Sequence, residues 1–88
     1  MTMTEILHYR FPPASAYGLN RCLFALKSDD AFRARFVKDA RAALREMGLA
    51  EEDAAALLRA DRDALVARGA HPSLVLMAAL RLRMEREA

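Results

Sequence analysis

Two glycines placed directly after strong helix-forming runs constrain the fold of this 88-residue chain more than any other feature. Gly48 follows the run ARAALREM, and Gly69 follows the run DALVAR. Glycine adopts the left-handed conformation that ends many helices, because it has no side chain to clash there. Between the glycines, the acidic run EED occupies the position of a first helical turn, where negative charge is stabilising. The stretch Met47–Ser73 therefore predicts short helices that end abruptly at glycines.

The composition of the whole chain is typical of an all-α domain. Alanine and leucine are abundant, β-branched residues are scarce, and only three glycines and three prolines interrupt the chain. An apolar content of 55% and a charged content of 30% fit one folded domain with a modest core. We predict a small compact bundle of five to six short helices over residues 15–88. An extended N-terminal arm is expected over residues 1–14, where Phe11-Pro12-Pro13 disfavours a helix.

Polar residues and apolar spacing predict where the helices begin. Four polar residues are suited to cap or precede a helix: Ser15, Asp29, Asp39 and Asp61. The first helix is expected to bury Leu19, Leu23 and Leu26, which share one face. The second carries Phe32 and Phe36 one turn apart, and it either ends before Asp39 or continues through it.

The last predicted helix is unusual because it is apolar on all sides. After the start His71-Pro72-Ser73, where proline suits the first turn, seven consecutive apolar residues run from Leu74 to Leu80. A helix in a small monomer usually has a polar back, so this pattern indicates a partner surface, either on a second copy or on another chain. Four residues of this helix are the predicted partner interface: Leu74, Met77, Leu80 and Met84.

Charge, cysteine content and hydropathy narrow the functional classes. The net charge is only +2. Many arginines have an acidic residue four positions away, the spacing of neighbours on a helix, as in the pairs Asp29–Arg33 and Arg81–Glu85. We interpret these charges as solvated helix faces, which disfavours nucleic-acid binding. The single cysteine, Cys22, lies in an apolar stretch and is expected to be a buried thiol in a reducing compartment. Without a membrane-spanning run or a signal-peptide pattern, we expect a cytoplasmic protein with no membrane partner.

The sequence contains no complete catalytic set. His8 and His71 could join a carboxylate as an iron triad, but His8 lies on the predicted arm rather than on a rigid scaffold. Phosphate-binding loops, CxxC pairs and nucleophile elbows are absent from the sequence. We predict that the chain alone is not catalytic and that it binds neither a metal nor another cofactor.

Several short motifs occur in a recognisable order. They are Tyr17-Gly18-Leu19-Asn20, then Phe32, Phe36 and Leu44, then Gly48-Leu49-Ala50-Glu51-Glu52, and finally Asp61, Leu65 and Gly69. This set, over roughly residues 15–84, resembles the LigA-type family. That family comprises the small (alpha) subunit of protocatechuate 4,5-dioxygenase and related domains of extradiol ring-cleavage dioxygenases.

The resemblance implies an all-helical domain that packs on a large (beta) subunit. In that family the large subunit carries the iron(II), its two histidines and one carboxylate, and the catalytic base. The small subunit covers the mouth of the active site, which makes four residues the implied substrate lid: Gly69, His71, Pro72 and Ser73. His71 stands where the family has asparagine.

Two further interpretations stay open at this point. The chain is alternatively a stand-alone LigA-like module that forms homo-oligomers through the 74–80 helix and has no dioxygenase role. A small helical nucleic-acid-binding protein is the third interpretation, and it requires the arginines to gather on one face.

Overall fold

The computed structural model describes residues 14–87, which form six α-helices without a β-strand. The helices are α1 (Ala14–Ser28), α2 (Asp30–Lys38), α3 (Ala40–Met47), α4 (Glu51–Arg59), α5 (Arg62–Ala67) and α6 (Pro72–Glu87). This confirms the predicted all-α bundle. The predicted N-terminal arm lies outside the described residues, except for Ala14, which begins α1. None of the six helices combines the length and the apolar run needed to cross a bilayer.

Three aspartates begin helices as the sequence predicts. The side chains of Asp29, Asp39 and Asp61 each accept a hydrogen bond from a backbone N–H three residues on, at distances of 3.0, 3.2 and 3.0 Å. Asp39 also ends α2, so α2 and α3 are separate helices. The predicted cap at Ser15 is wrong, because α1 already includes Ala14, a strong helix former.

Both predicted glycine stops adopt positive φ angles, 67° at Gly48 and 102° at Gly69. A third left-handed stop lies at Ala60, with φ 54°. There the N–H of Asp61 donates to the carbonyl of Ala56 (3.1 Å), and the N–H of Ala60 donates to that of Leu57 (3.0 Å). This pair of bonds is the Schellman pattern that ends a helix. No glycine marks this stop in the sequence.

The core is built around α1, which packs along α6. The predicted apolar face of α1 is confirmed, since Leu19, Leu23 and Leu26 are at most 1% exposed. Cys22 is buried with them, as predicted. The other helices contribute further buried residues, among them Phe32, Phe36, Leu44, Leu57, Leu65 and Val75.

Two charged side chains of the described residues are buried, against the interpretation of the charges as solvated helix faces. Arg33 is 6% exposed and Asp53 is 3% exposed. Arg33 pairs with Asp30 and Glu85 rather than with Asp29. The predicted Asp29–Arg33 pair fails because Asp29 is used as a helix cap. The predicted Arg81–Glu85 pair fails because Glu85 faces Arg33 instead.

Candidate functional site

The loop that connects α5 to α6 is tied to α1 by one amide side chain. Nδ2 of Asn20 donates to the carbonyl of Gly69 at 3.1 Å, and Oδ1 of Asn20 accepts from the N–H of His71 at 2.8 Å. Because both ends of the amide are bonded, its orientation is fixed. Two motifs that lie 51 residues apart in the sequence thus form a single site. The sequence shows their order but not this contact.

Hydrogen bonds between backbone groups hold the same loop in shape up to the start of α6. The N–H of Ala70 donates to the carbonyl of Leu65 at 2.9 Å, across the left-handed Gly69, and Ala70 is buried. The carbonyl of His71 accepts from the N–H of Val75 at 3.1 Å, which makes His71 the N-cap residue of α6. Pro72 then occupies the first helical position, as predicted.

The His71 side chain also caps the start of α6, and this contact holds the imidazole ring in place. Its Nδ1 accepts a hydrogen bond from the N–H of Ser73 at 3.2 Å. Because Nδ1 is the acceptor, the neutral imidazole carries its proton on Nε2. His71, Pro72 and Ser73 are all exposed, whereas Gly69 is half-buried. The loop therefore presents one ring N–H donor and one hydroxyl to its surroundings.

An ion pair holds the first residue of this loop, Arg68. Arg68 donates from Nε to the buried carboxylate of Asp53, on the first turn of α4. This hydrogen bond to Asp53 raises the pKa of Arg68 above its ordinary value. The loop is thus anchored to α4 on one side and, through Asn20, to α1 on the other. Sequence reasoning recognised Asp53 only as a first-turn acid.

The predicted interface residues of α6 divide between two environments. Leu74 and Met77 are half-buried, and Leu74 packs against the core. Leu80 and Met84 are 43% and 51% exposed. Leu76, which the sequence-based set omits, is 60% exposed. Three apolar side chains four residues apart, Leu76, Leu80 and Met84, therefore line one exposed face, here called the outer stripe.

The described residues do not fit a metal site. His71 is the only histidine between residues 14 and 87, and its Nδ1 is used within the loop. Within that range no three His, Cys, Asp or Glu side chains are grouped closely enough to hold a metal ion. His8, the other candidate ligand, lies outside the described residues.

The sequence matches the model of a known family. Its description is aromatic-ring-opening dioxygenase LigAB, LigA subunit, and the match covers residues 19–85. That span includes Asn20, the α5–α6 loop and the whole outer stripe. No curated protein and no solved structure matches the chain.

Proposed function

The chain belongs to the family of the LigA subunit of aromatic-ring-opening dioxygenases, and from that membership we propose that it is the non-catalytic small subunit of an extradiol enzyme. It acts in the cytoplasmic catabolism of aromatic compounds, packed on a large subunit that holds the iron(II). That iron supplies the oxygen chemistry, while the residues of this chain bind the partner and exclude water. The observation that carries the proposal is that the α5–α6 loop, held in place by Asn20, leads directly into the helix that bears the outer stripe.

The outer stripe has the character of a subunit contact. Single exposed apolar residues are common on folded proteins, but a row of them on one helix face marks an interaction site. The stripe formed by Leu76, Leu80 and Met84 extends about 12 Å along the helix, from residue 76 to residue 84. The opposite face of α6 is already occupied, since Val75 and Ala78 are buried in the bundle. The outer stripe is therefore the face of α6 left for the large subunit.

The α5–α6 loop lies at the start of the same helix, so contact through the outer stripe brings the loop to the partner as well. Nε2–H of His71 and the hydroxyl of Ser73 then face a polar group at the mouth of the active site. A carboxylate or a ring hydroxyl of a catechol-type acid accepts such hydrogen bonds. Closing the mouth with Pro72 excludes water, which strengthens polar interactions inside.

The subunit proposal is tested by co-expression with a large ring-opening dioxygenase subunit. We expect the two chains to co-elute and to consume oxygen with a catechol-type acid. Leu80→Glu should abolish co-elution, because it places a charge in the centre of the contact. Phe24→Glu is the matched control, since Phe24 is 54% exposed on α1, outside the outer stripe. Failure of the wild-type chains to co-elute would count against the proposal. So would an equal loss of co-elution with Leu80→Glu and Phe24→Glu.

The lid role is tested separately, in the assembled enzyme. His71→Ala removes the ring donor, and we expect KM to rise about two- to tenfold, the usual effect of one lost hydrogen bond. Co-elution should be retained, because the stripe is intact. If turnover and KM are both unchanged, His71 serves only to begin α6.

The outer stripe also supports the second candidate function, a homo-oligomeric module. In that case the isolated chain forms dimers in analytical ultracentrifugation, Leu80→Glu makes it monomeric, and a large subunit does not compete. Dissociation of such dimers by the large subunit would instead support the subunit role.

A further inference from the structure

A cavity of about 200 Å³ lies between α6, the α4–α5 junction and the core. Its interior is formed by buried apolar side chains, among them Leu23, Leu26 and Phe36. Its mouth is formed by exposed residues, which include Leu76 and Ala79 on α6. The cavity is therefore an apolar space that opens to the surface, and it is separate from the α5–α6 loop.

The polar groups that line this cavity are two arginines at its mouth, Arg62 at the start of α5 and Arg86 in the last turn of α6. Neither forms an ion pair with a described residue, in contrast to Arg33, Arg35, Arg59, Arg68 and Arg83. No acidic residue lines the cavity. The mouth is therefore cationic, while the interior carries no charge.

We propose that this cavity binds a small apolar molecule that carries one carboxylate. An apolar protein cavity of about 150 Å³ is large enough to bind benzene, so the present volume admits a single ring or a short alkyl chain. The ligand's apolar body lies against Leu23, Leu26 and Phe36. Its carboxylate lies at the mouth, where guanidinium groups offer paired N–H donors. All of these residues belong to this chain, so the inference does not depend on the proposed dioxygenase role.

The test is a titration of the isolated ¹⁵N-labelled chain, with benzoate as the probe. We expect a dissociation constant of about 1 mM or tighter, given the size of the ligand. Amide shifts should concentrate around Ala78 and Leu82, which line the cavity. Benzyl alcohol, with the ring but no charge, should bind about fivefold or more weakly, and acetate, with the charge but no ring, should not bind.

Variants separate the charged mouth from the apolar interior. Arg62→Gln and Arg86→Gln should each weaken benzoate binding about two- to fivefold and leave benzyl alcohol unchanged. Arg41→Gln is the matched control, because Arg41 is exposed, outside the cavity and free of ion pairs with described residues. Ala79→Leu should narrow the mouth and weaken both ring ligands more than tenfold, whereas Ala34→Leu, an exposed helical control, should not.

Several results would overturn the inference. One is the absence of benzoate binding, and another is equal affinity for benzoate and benzyl alcohol. A third is unchanged benzoate affinity in the Arg62→Gln/Arg86→Gln double variant or in Ala79→Leu, each first verified to be folded by circular dichroism. Amide shifts confined to residues away from the cavity would place the ligand elsewhere and would equally overturn it.

Discussion

Arg33 joins the ends of two helices from its position on a third. Its Nη1 donates to the carbonyls of Leu26 (3.0 Å) and Lys27 (3.3 Å), at the end of α1. Such carbonyls have no partner within their own helix, so the guanidinium completes the C-terminus of α1. Its Nε donates to Glu85 at 3.2 Å, on the last turns of α6. This single side chain therefore fixes how α1, α2 and α6 meet.

Replacing Arg33 should lower the stability of the fold far more than replacing an exposed arginine. We expect Arg33→Ala to lower the free energy of unfolding by about 2–4 kcal/mol, because buried carbonyls and Glu85 lose their donors. Urea denaturation followed by circular dichroism measures this. Arg35→Ala is the control, since Arg35 and Glu46 form an exposed pair, and its cost should stay below about 1 kcal/mol. Similar losses for the two variants would contradict the assigned role of Arg33.

Because Cys22 is buried, the folding stability should depend on pH in the alkaline range. Burial raises the pKa of its thiol from the ordinary value of 9.0 to about 12, although the positive charge of Arg21 acts to lower it. Above pH 9 the unfolded thiol ionises and the folded thiol does not, so folding stability falls as pH rises towards 12. Between pH 7 and 10, wild type should lose about 1.4 kcal/mol more than Cys22→Ala. Urea denaturation at both pH values checks this, and parallel losses in the two proteins would contradict it.

Sequence reasoning succeeded for Cys22 and failed for Arg33 and Asp53, and the difference has a physical cause. Burial of Cys22 follows from its place in a local apolar stripe. Arg33 has one local partner, Asp30, but its other partners lie outside α2, at the end of α1 and on α6, where Glu85 is 52 residues away. Arg68, the partner of Asp53, lies 15 residues away, just past the end of α5. Charge spacing within one helix predicts only neighbours three or four residues apart. It could therefore not distinguish a solvated arginine from a buried one.

At the scale of single helices, the stops at Gly48 and Ala60 have the same left-handed backbone but different residues. A left-handed conformation costs a non-glycine residue roughly 1–2 kcal/mol. A Cβ at Gly48 would meet no atom within 4 Å, so any cost there comes from the backbone alone. The two stops thus form a matched pair for one experiment.

Exchanging the residue type at these stops should have opposite effects. We expect Gly48→Ala to destabilise the chain by about 1 kcal/mol, and Ala60→Gly to stabilise it by about 0.5–1 kcal/mol after the extra unfolded-state entropy of glycine is subtracted. Thermal denaturation of both variants and wild type measures the two shifts. Shifts of the same sign would show that packing, rather than backbone conformation, governs these stops.

The exposed face of α6 was only partly predicted, because it depends on how the helix is oriented about its own axis. Seven consecutive apolar residues give no periodicity, so the sequence does not determine which of them face outward. Packing on α1 determines it by burying Val75 and Ala78, which turns Leu76 outward and Leu74 inward. The loop contact of Asn20 was equally inaccessible, because it depends on where α1 and α6 meet. Helix ends, in contrast, are local and were largely predicted.

At the scale of the whole molecule, the α5–α6 loop and the outer stripe are supported by the same part of the bundle. The core helices α1 and α6 support both the α5–α6 loop and the outer stripe. Binding of a partner at the outer stripe must therefore stabilise the bundle against unfolding, by an amount set by the partner concentration relative to the dissociation constant.

Hydrogen exchange measured by mass spectrometry tests this link between assembly and stability. With the large subunit free at about 100 times its dissociation constant, core amides of α1 and α6 that exchange by global unfolding should exchange about 100-fold more slowly. Leu80→Glu should leave exchange in the free chain nearly unchanged, because Leu80 is exposed, and should abolish the slowing. Phe24→Glu should preserve it. Slowing that survives Leu80→Glu would place the contact on a different face of the bundle, and the outer stripe would then be excluded as the subunit interface.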